Sequence, residues 1–235
     1  MSKERRIKGD REAPLYPRFI GLFGPDGVGK STQAEIIVRQ ISSEGLKVRK
    51  VWVRGPHTLS FFLSFILVEA GLFKEIINPF GLGRKVPQLG FNPLIKQVWA
   101  FVEFLSVLPI IIFKVVLPLR AGYIVVADRY VMDAIISIAY NISDITFTHS
   151  KLARSLICLL PRNSLLFHLD ADYASLTTRR GRLVEPLEFI EFQKEGYESL
   201  GNIVSSHYID TSNQSEEETS AIILKRIREY HYNQN

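Results

Sequence analysis

The chain has 235 residues, of which 46% are hydrophobic and 23% charged, and its net charge is +5 at pH 7. This composition excludes a disordered protein and suits one α/β domain with a large core. The small positive charge fits anionic ligands. Nucleic-acid binding requires a concentrated basic stripe, so we expect no nucleic-acid partner.

The first 16 residues are polar and basic, and we expect a tail that is distinct from a domain covering 17–235. Attraction of this tail to RNA or to a membrane is an alternative interpretation. Cys158 is the only cysteine, so the chain has no internal disulfide, which favours the reducing cytoplasm. Because Cys158 lies in an apolar run, we expect it to be buried.

A short apolar strand, 19–23, a glycine-rich turn and an amphipathic helix, 29–43, follow each other near the N-terminus. The turn, Gly24-Pro25-Asp26-Gly27-Val28-Gly29-Lys30-Ser31, matches the phosphate-binding P-loop pattern. Its backbone N–H groups are expected to bind a polyphosphate, with Lys30 near the β and γ phosphates and the Ser31 hydroxyl on Mg²⁺. The motif therefore predicts ATP and Mg²⁺ as cofactors. The predicted nucleotide-binding residues here are Gly24, Asp26, Gly27, Val28, Gly29, Lys30, Ser31 and Thr32.

Strands and helices alternate along most of the remaining chain. The further predicted strands are 47–53, 123–127, 165–169 and 207–209. The further predicted helices are 130–140, 148–160, 172–181, 186–200 and 215–230. This alternation predicts an α/β fold with a five-stranded parallel sheet and helices on both faces.

The alternation is interrupted by an insertion, 57–121, which we expect to consist of helices and loops. Its apolar stretch 98–119 contains two charged residues and two prolines, and it predicts a core helix that is kinked or broken near Pro109. We therefore expect no stable membrane insertion. The stretch 78–92 is rich in glycine and proline and predicts a mobile loop. An exposed apolar patch that contacts a membrane surface or a partner is the alternative.

Polar and charged side chains follow every predicted strand, where ligands of open parallel sheets bind. Besides the P-loop they are Arg54, Asp128, Arg129, Asp170, Asp172 and Asp210. Asp128 is a candidate Mg²⁺ ligand and Arg129 a candidate bidentate phosphate ligand, whereas a helix N-cap beside a surface arginine is the structural alternative. Arg179 and Arg182 share a helix face, which favours a mobile basic lid over a solvated surface.

Three blocks resemble the thymidylate kinase family of P-loop nucleoside monophosphate kinases: 24–32, Asp128-Arg129-Tyr130, and Leu169-Asp170-Ala171-Asp172 with the arginines that follow. The resemblance implies a P-loop NTPase fold with an arginine-rich lid. It also implies transfer of the γ-phosphoryl group of ATP to a nucleoside monophosphate, with dTMP as the leading acceptor. The family commonly forms homodimers, so a homodimer is expected.

The resemblance assigns functions to single residues. The implied catalytic residues are Lys30, Arg129, Arg179, Arg180 and Arg182. The implied acceptor-binding residues are Asp26, Arg54, Arg129 and Tyr140, and Asp210 begins a segment that borders the adenine.

The chain differs from the family where the acceptor binds. Arg54 is followed by Gly55 instead of a glutamate, the apolar helix before strand 123–127 lacks the base-reading arginine, and Asp133 replaces a small hydroxyl residue. Two alternatives therefore remain open. The first is a kinase of a different small acceptor. The second is a non-catalytic ATP-binding module whose apolar insertion docks a partner or a membrane.

Overall fold

Parallel strands form the centre of the molecule, and β1 (Phe19–Phe23), in which all five residues are buried, is the middle strand. The others are β2 (Val48–Val51), β5 (Ile124–Asp128), β6 (Ser164–Asp170) and β7 (His207–Asp210), in the spatial order β2-β5-β1-β6-β7. A separate antiparallel pair consists of β3 (Phe73–Ile77) and β4 (Gly83–Pro87). The computed structural model describes residues 16–53, 59–71, 73–77, 83–87, 93–181 and 185–232.

Helices cover both faces of the parallel sheet. They are α1 (Lys30–Ser43), α2 (Leu59–Glu69), α3 (Pro93–Ile111), α4 (Leu117–Arg120), α5 (Val131–Asn141), α6 (Lys151–Ile157), α7 (Tyr173–Arg180), α8 (Leu187–Ile203) and α9 (Glu216–Tyr232). One buried cluster joins the sheet to α3, α5, α6 and α8, and a second joins it to α1 and α9. The predicted five-stranded parallel sheet with helices on both faces is confirmed.

The strand register brings the carboxyl ends of the central strands to one edge. Leu22 of β1 is aligned with Asp128 of β5, and Asp170 of β6 is aligned with Asp210 of β7. Asp128, Asp170 and Asp210 are the last residues of their strands, so each strand ends one residue later than the sequence predicted. The chain leaves β1 through Gly24, where a Cβ atom would overlap the carbonyl oxygen of Leu169 in β6. Only glycine fits this close approach.

The insertion contains strands that the sequence did not predict. The region 78–92 was expected to be irregular, but Gly83–Pro87 forms β4 and pairs with Phe73–Ile77. Glycine and proline occupy the ends of β4 and therefore do not interrupt its ladder, and proline is tolerated at a strand edge. The remaining residues of 78–92, the tail residues 1–15, Arg54 and Arg182 lie outside the described residues.

The predicted helix over the apolar stretch 98–119 is present, and its backbone changes from α-helical to π-helical at Ile112–Val116, just beyond Pro109, so the helix is irregular near this proline. Two local predictions were wrong. The predicted helix 148–160 is divided at Ser150, whose side chain caps α6 by accepting a hydrogen bond from the N–H of Ala153. Cys158, at the C-terminal end of α6, is exposed, whereas its neighbours Ile157 and Leu159 pack partly against the core.

His168 lies in β6 as a buried core residue, and its ring stacks on Phe23 with 5.1 Å between centroids. Burial lowers the pKa of His168 from 6.5 to about 4. The unfolded chain therefore binds this proton more tightly than the folded chain. The contribution of the neutral His168 ring to the free energy of unfolding is complete above pH 6.5 and is lost as the pH falls toward 4.

We predict that, as the pH falls from 6.5 to about 4, His168 lowers the free energy of unfolding by up to about 1.4 kcal/mol per pH unit. Urea unfolding measured at several pH values checks this. The variant His168→Gln is expected to have a flatter dependence between pH 6.5 and about 4. An equal slope in the variant and the wild type would contradict the assignment to this histidine.

Candidate functional site

The glycine-rich turn after β1 surrounds the ammonium group of Lys30. Helix α1 begins at Lys30, directly after Gly29, which has a left-handed φ of 93°. The buried Lys30 Nζ donates hydrogen bonds to the carbonyl oxygens of Gly24, at 2.7 Å, and Pro25. The turn therefore positions a lysine charge beside the N-terminus of a helix, where the backbone dipole also favours anions.

Three cationic side chains converge on the buried carboxylate of Asp26 in the same turn. Arg129 forms an ion pair with Asp26 Oδ1, the Lys30 Nζ lies 3.8 Å from the same oxygen, and Arg180 Nη1 lies 3.6 Å from Asp26 Oδ2. These cations come from α1, from the end of β5 and from α7. The positive charge at this point exceeds that of the carboxylate, which favours a bound anion.

Arg129 has an unusual backbone conformation with a φ of 79°, and its N–H donates to the carbonyl oxygen of Leu22 at 3.0 Å. A non-glycine residue in this region costs roughly 1 kcal/mol, and such strain concentrates at functional sites. The side chain is fixed by Asp133, whose Oδ1 accepts from Arg129 Nη1 at 2.8 Å and from the Tyr197 hydroxyl at 2.9 Å. Asp133 was not predicted as a site residue, although its i+4 spacing from Arg129 was a signal.

Asp128 provides a buried oxygen beside this turn. Its Oδ1 has no hydrogen-bond partner within the part of the chain that the structure describes, and its Oδ2 lies 3.9 Å from Lys50 Nζ. The Ser31 side chain is exposed in the first turn of α1. A carboxylate and a hydroxyl oxygen suit Mg²⁺, which commonly takes its remaining ligands from water and substrate phosphates. The described residues contain no group of three or more His, Cys, Asp or Glu side chains that holds a metal by itself.

A cavity of about 470 Å³ opens beside the turn. Its lining consists of Gly27, Val28, Gly29, Lys30, Ser31, Thr32, Gln33, Arg129, Arg179, Arg180, Thr211, Gln214, Ser215, Glu216 and Thr219. Four of these residues are cationic and one is anionic. The volume lies in the range of small-molecule sites. The cavity therefore suits a ligand of nucleotide size with several negative charges.

The predicted lid arginines have different surroundings. Arg180 crosses the glycine-rich turn, since a Cβ on Gly27 would lie 2.7 Å from Arg180 Cδ. Arg179 joins α7 to the segment after β7, because its guanidinium donates to the Thr211 hydroxyl at 3.0 Å and to the Ser212 carbonyl at 3.4 Å. Arg182 and Arg54 lie outside the described residues, so their predicted functions stay predictions.

Five predicted site residues that the structure describes do not line this cavity, namely Gly24, Asp26, Asp128, Tyr140 and Asp210. Asp210 accepts hydrogen bonds from the Ser212 hydroxyl and N–H at 2.6 and 2.9 Å, which hold the pKa of Asp210 below its usual value. Its local contacts are those of a turn-forming residue. Tyr140 packs edge-on against Phe189 with 4.4 Å between ring centroids, at the interface of α5 and α8.

The first turn of α9 contributes cavity residues that the sequence analysis did not predict. Ser215 Oγ accepts from the Glu218 N–H at 3.1 Å, and Glu218 Oε2 accepts from the Ser215 N–H at 2.8 Å. This reciprocal pair is a capping box, whose S-x-x-E pattern is visible in the sequence. Because α9 begins here, Glu216 and Thr219 are brought to the cavity.

No protein-family model matches the sequence. Among solved structures, the chain is similar to a thymidylate kinase from Candida albicans, with 18% identity and a TM-score of 0.58 over 92% of this chain and 94% of that one. The fold is that of the thymidylate kinases. A thymidylate kinase from Ehrlichia chaffeensis gives 15% identity and a TM-score of 0.49 over 92% of this chain and all of that one.

The predicted resemblance is thus confirmed for the fold. At 18% identity the likeness establishes the fold alone, so the activity has to be argued from the site.

The close approach of Gly24 to β6 gives a test of the turn. Gly24→Ala is expected to destabilise the chain by about 3 kcal/mol or more, because the new Cβ meets the backbone of Leu169 and the φ is +139°. Gly45→Ala is the control, since its φ is also positive but nothing lies within 4 Å of the new Cβ, and about 1 kcal/mol is expected. Urea unfolding measures both. Equal costs would contradict the packing described for Gly24.

Proposed function

We propose that this chain is an ATP- and Mg²⁺-dependent kinase that transfers the γ-phosphoryl group to a nucleoside monophosphate, with dTMP as the leading acceptor. The observation that carries the proposal is the convergence of Lys30, Arg129 and Arg180 on one carboxylate of the glycine-rich turn, beside a cationic cavity. Phosphoryl transfer depends on such positioned positive charge, because negative charge spreads over the transferring oxygens.

The donor side consists of the turn and α1. The backbone N–H groups of the turn and the Lys30 ammonium bind the phosphates of ATP, and Ser31 and Asp128 hold the metal. Bound Mg²⁺ neutralises charge on the β and γ phosphates. The partnerless Oδ1 of buried Asp128, in the part of the chain that the structure describes, supports its assignment as a metal ligand.

The acceptor side is centred on Arg129. Asp133 and Tyr197 orient the guanidinium, and in the proposed reaction it binds the acceptor phosphate in a bidentate manner. Arg54 and Tyr140 complete the proposed acceptor site, and Asp26 approaches the acceptor sugar. A phosphate acceptor is already an ionised nucleophile and requires no general base.

Arg179, Arg180 and Arg182 form the proposed lid over the transferring group. Arg180 already lies across the glycine-rich turn, within 3.6 Å of Asp26, which supports its place in the lid. Closure of arginines over the reacting phosphates excludes water and strengthens electrostatic stabilisation.

The residues that select the acceptor base differ from those of the family. The Candida albicans structure is described as revealing the origin of broad substrate specificity in that enzyme. This chain lacks the acidic residue after Arg54 and the base-reading arginine that thymine selection is expected to need.

We place the protein in the cytoplasm because its single cysteine excludes an internal disulfide. The homodimer that the resemblance implies stays a prediction.

Lys30→Ala is expected to lower kcat about 10³-fold with the fold intact, because the lysine stabilises the developing charge on the phosphates. The control is Lys47→Ala, whose side chain is exposed between α1 and β2. ADP release in the presence of dTMP measures both variants. Turnover of Lys30→Ala near that of the wild type would contradict the donor assignment.

Arg129→Ala is expected to raise the KM for the acceptor at least tenfold, with a smaller change in the KM for ATP, since a charge-assisted bond contributes about 1.5–3 kcal/mol. Arg154→Ala, at an exposed position of α6, is the control. Far-UV circular dichroism verifies the fold, because the substitution also removes a partner of Asp26 and Asp133. An unchanged acceptor KM would remove Arg129 from the acceptor site.

A screen of acceptors with labelled ATP separates the alternatives. We expect phosphoryl transfer to dTMP and to other nucleoside monophosphates at lower kcat/KM. Transfer only to acceptors that are not nucleotides would favour a different small-molecule kinase. ATP binding without any acceptor-dependent ADP release would favour the non-catalytic module.

A further inference from the structure

Asp133 places a second carboxylate next to Arg129. The residue is 3% exposed and lies in the first turn of α5. Its Oδ1 accepts hydrogen bonds from Arg129 Nη1 at 2.8 Å and from the Tyr197 hydroxyl at 2.9 Å, and its Oδ2 accepts from the Tyr130 N–H at 3.3 Å. Both oxygens have partners, so the carboxylate is held in one position beside the guanidinium.

The two carboxylates that contact Arg129 differ in the positive charge that surrounds them. Among the described residues, Asp26 has three cationic neighbours, Lys30, Arg129 and Arg180. In the same part of the chain, Arg129 is the only cationic partner of Asp133, whose other hydrogen-bond donors are neutral. The negative charge of Asp133 is therefore compensated by Arg129 alone.

The guanidinium of Arg129 retains donors for a phosphate. A guanidinium has five N–H donors in one plane, and here Asp133 accepts from Nη1 while Asp26 pairs with Nη2. Arg129 also lines the cavity beside the glycine-rich turn. A phosphate can therefore bind Arg129 while Asp133 stays in place, and both anions then share one cation.

Sharing the cation weakens the attraction of Arg129 for each further negative charge. A phosphate oxygen bound to the same guanidinium lies roughly 6 Å from the Asp133 carboxylate, where two like charges repel. The repulsion is about twice as large for a group with two negative charges as for a group with one. A phosphate monoester loses its second proton at about pH 6, so both charge states occur near neutral pH.

We propose that Asp133 is a specificity-determining residue of the acceptor site, which positions Arg129 and reduces its preference for a doubly charged acceptor group over a singly charged one. The inference rests on the proposed function, because it takes Arg129 as the residue that binds the acceptor phosphate. The site then admits a phosphate monoester in either charge state, and not the doubly charged form alone. The singly charged form still has an ionised oxygen as nucleophile.

Equilibrium binding of two ligands of different charge tests the proposal. One is dTMP and the other is the H-phosphonate analogue of dTMP, which has a single negative charge. Titration calorimetry without ATP, at about pH 8, compares them because the phosphate of dTMP is then doubly charged. The wild type is compared with Asp133→Asn, whose Oδ1 still accepts the hydrogen bonds but carries no charge.

The two ligands are expected to respond differently to Asp133→Asn. Loss of one negative charge at roughly 6 Å strengthens the binding of the H-phosphonate about threefold and that of dTMP about tenfold. The ratio of the two Kd values therefore shifts about threefold in favour of dTMP. Asp133→Ala also removes the hydrogen bonds, so we expect it to bind both ligands more weakly than Asp133→Asn does.

Asp144→Asn is the matched control. Asp144 is a partly buried carboxylate just beyond the C-terminal end of α5, and its Oδ1 accepts from the Thr146 N–H at 3.0 Å. The same loss of charge, roughly 15 Å away along the helix, is expected to leave both Kd values within about twofold of the wild type. Far-UV circular dichroism and thermal unfolding verify that all three variants fold.

An unchanged ratio of Kd values in folded Asp133→Asn would overturn the proposal. An equal loss of affinity for both ligands would also overturn it, because a purely structural role predicts that result. Failure of the proposed function gives a different result, in which the wild type binds neither dTMP nor any other nucleoside monophosphate and releases no ADP in their presence. That result would overturn both proposals together.

Discussion

The candidate site depends on one buried group of charges, Asp26, Arg129 and Asp133. Arg129 bridges the two carboxylates, and Arg180 and Lys30 lie beside the first of them. Removing such ions from water costs several kcal/mol each, so they persist only because every charge has partners of opposite sign. Through these contacts the turn after β1, the end of β5, and helices α5 and α7 are fixed relative to each other. A nucleotide phosphate would meet cations that the fold has already positioned.

Local patterns predicted the parts of the fold that local chemistry decides. The bounds of β1 and α1 were predicted within one residue. The apolar run, the glycines of the turn and the helical period that define these bounds each depend on neighbours in sequence. The hydrogen bond between Asp133 and Tyr197 joins residues 64 apart, and no local pattern indicates it. Strand β4 was missed because its backbone partners, not its composition, make it a strand. The exposure of Cys158 was not predicted, because an apolar run does not show which of its residues faces the solvent.

The molecule thus combines a charged sheet edge with a pair of helices, α2 and α3, whose exterior is apolar. Val107 of α3 belongs to the same core cluster as Tyr130, the neighbour of Arg129, so the two regions share one core.

Titration calorimetry of Mg²⁺-ATP into the full chain tests the central claim, that the turn and its cations form a site for a triphosphate. The account predicts saturable binding with one site per chain, which Lys30→Ala weakens at least about tenfold through loss of one charge-assisted contact. Heat that is absent for every purine nucleoside triphosphate in the presence of Mg²⁺ would contradict the account.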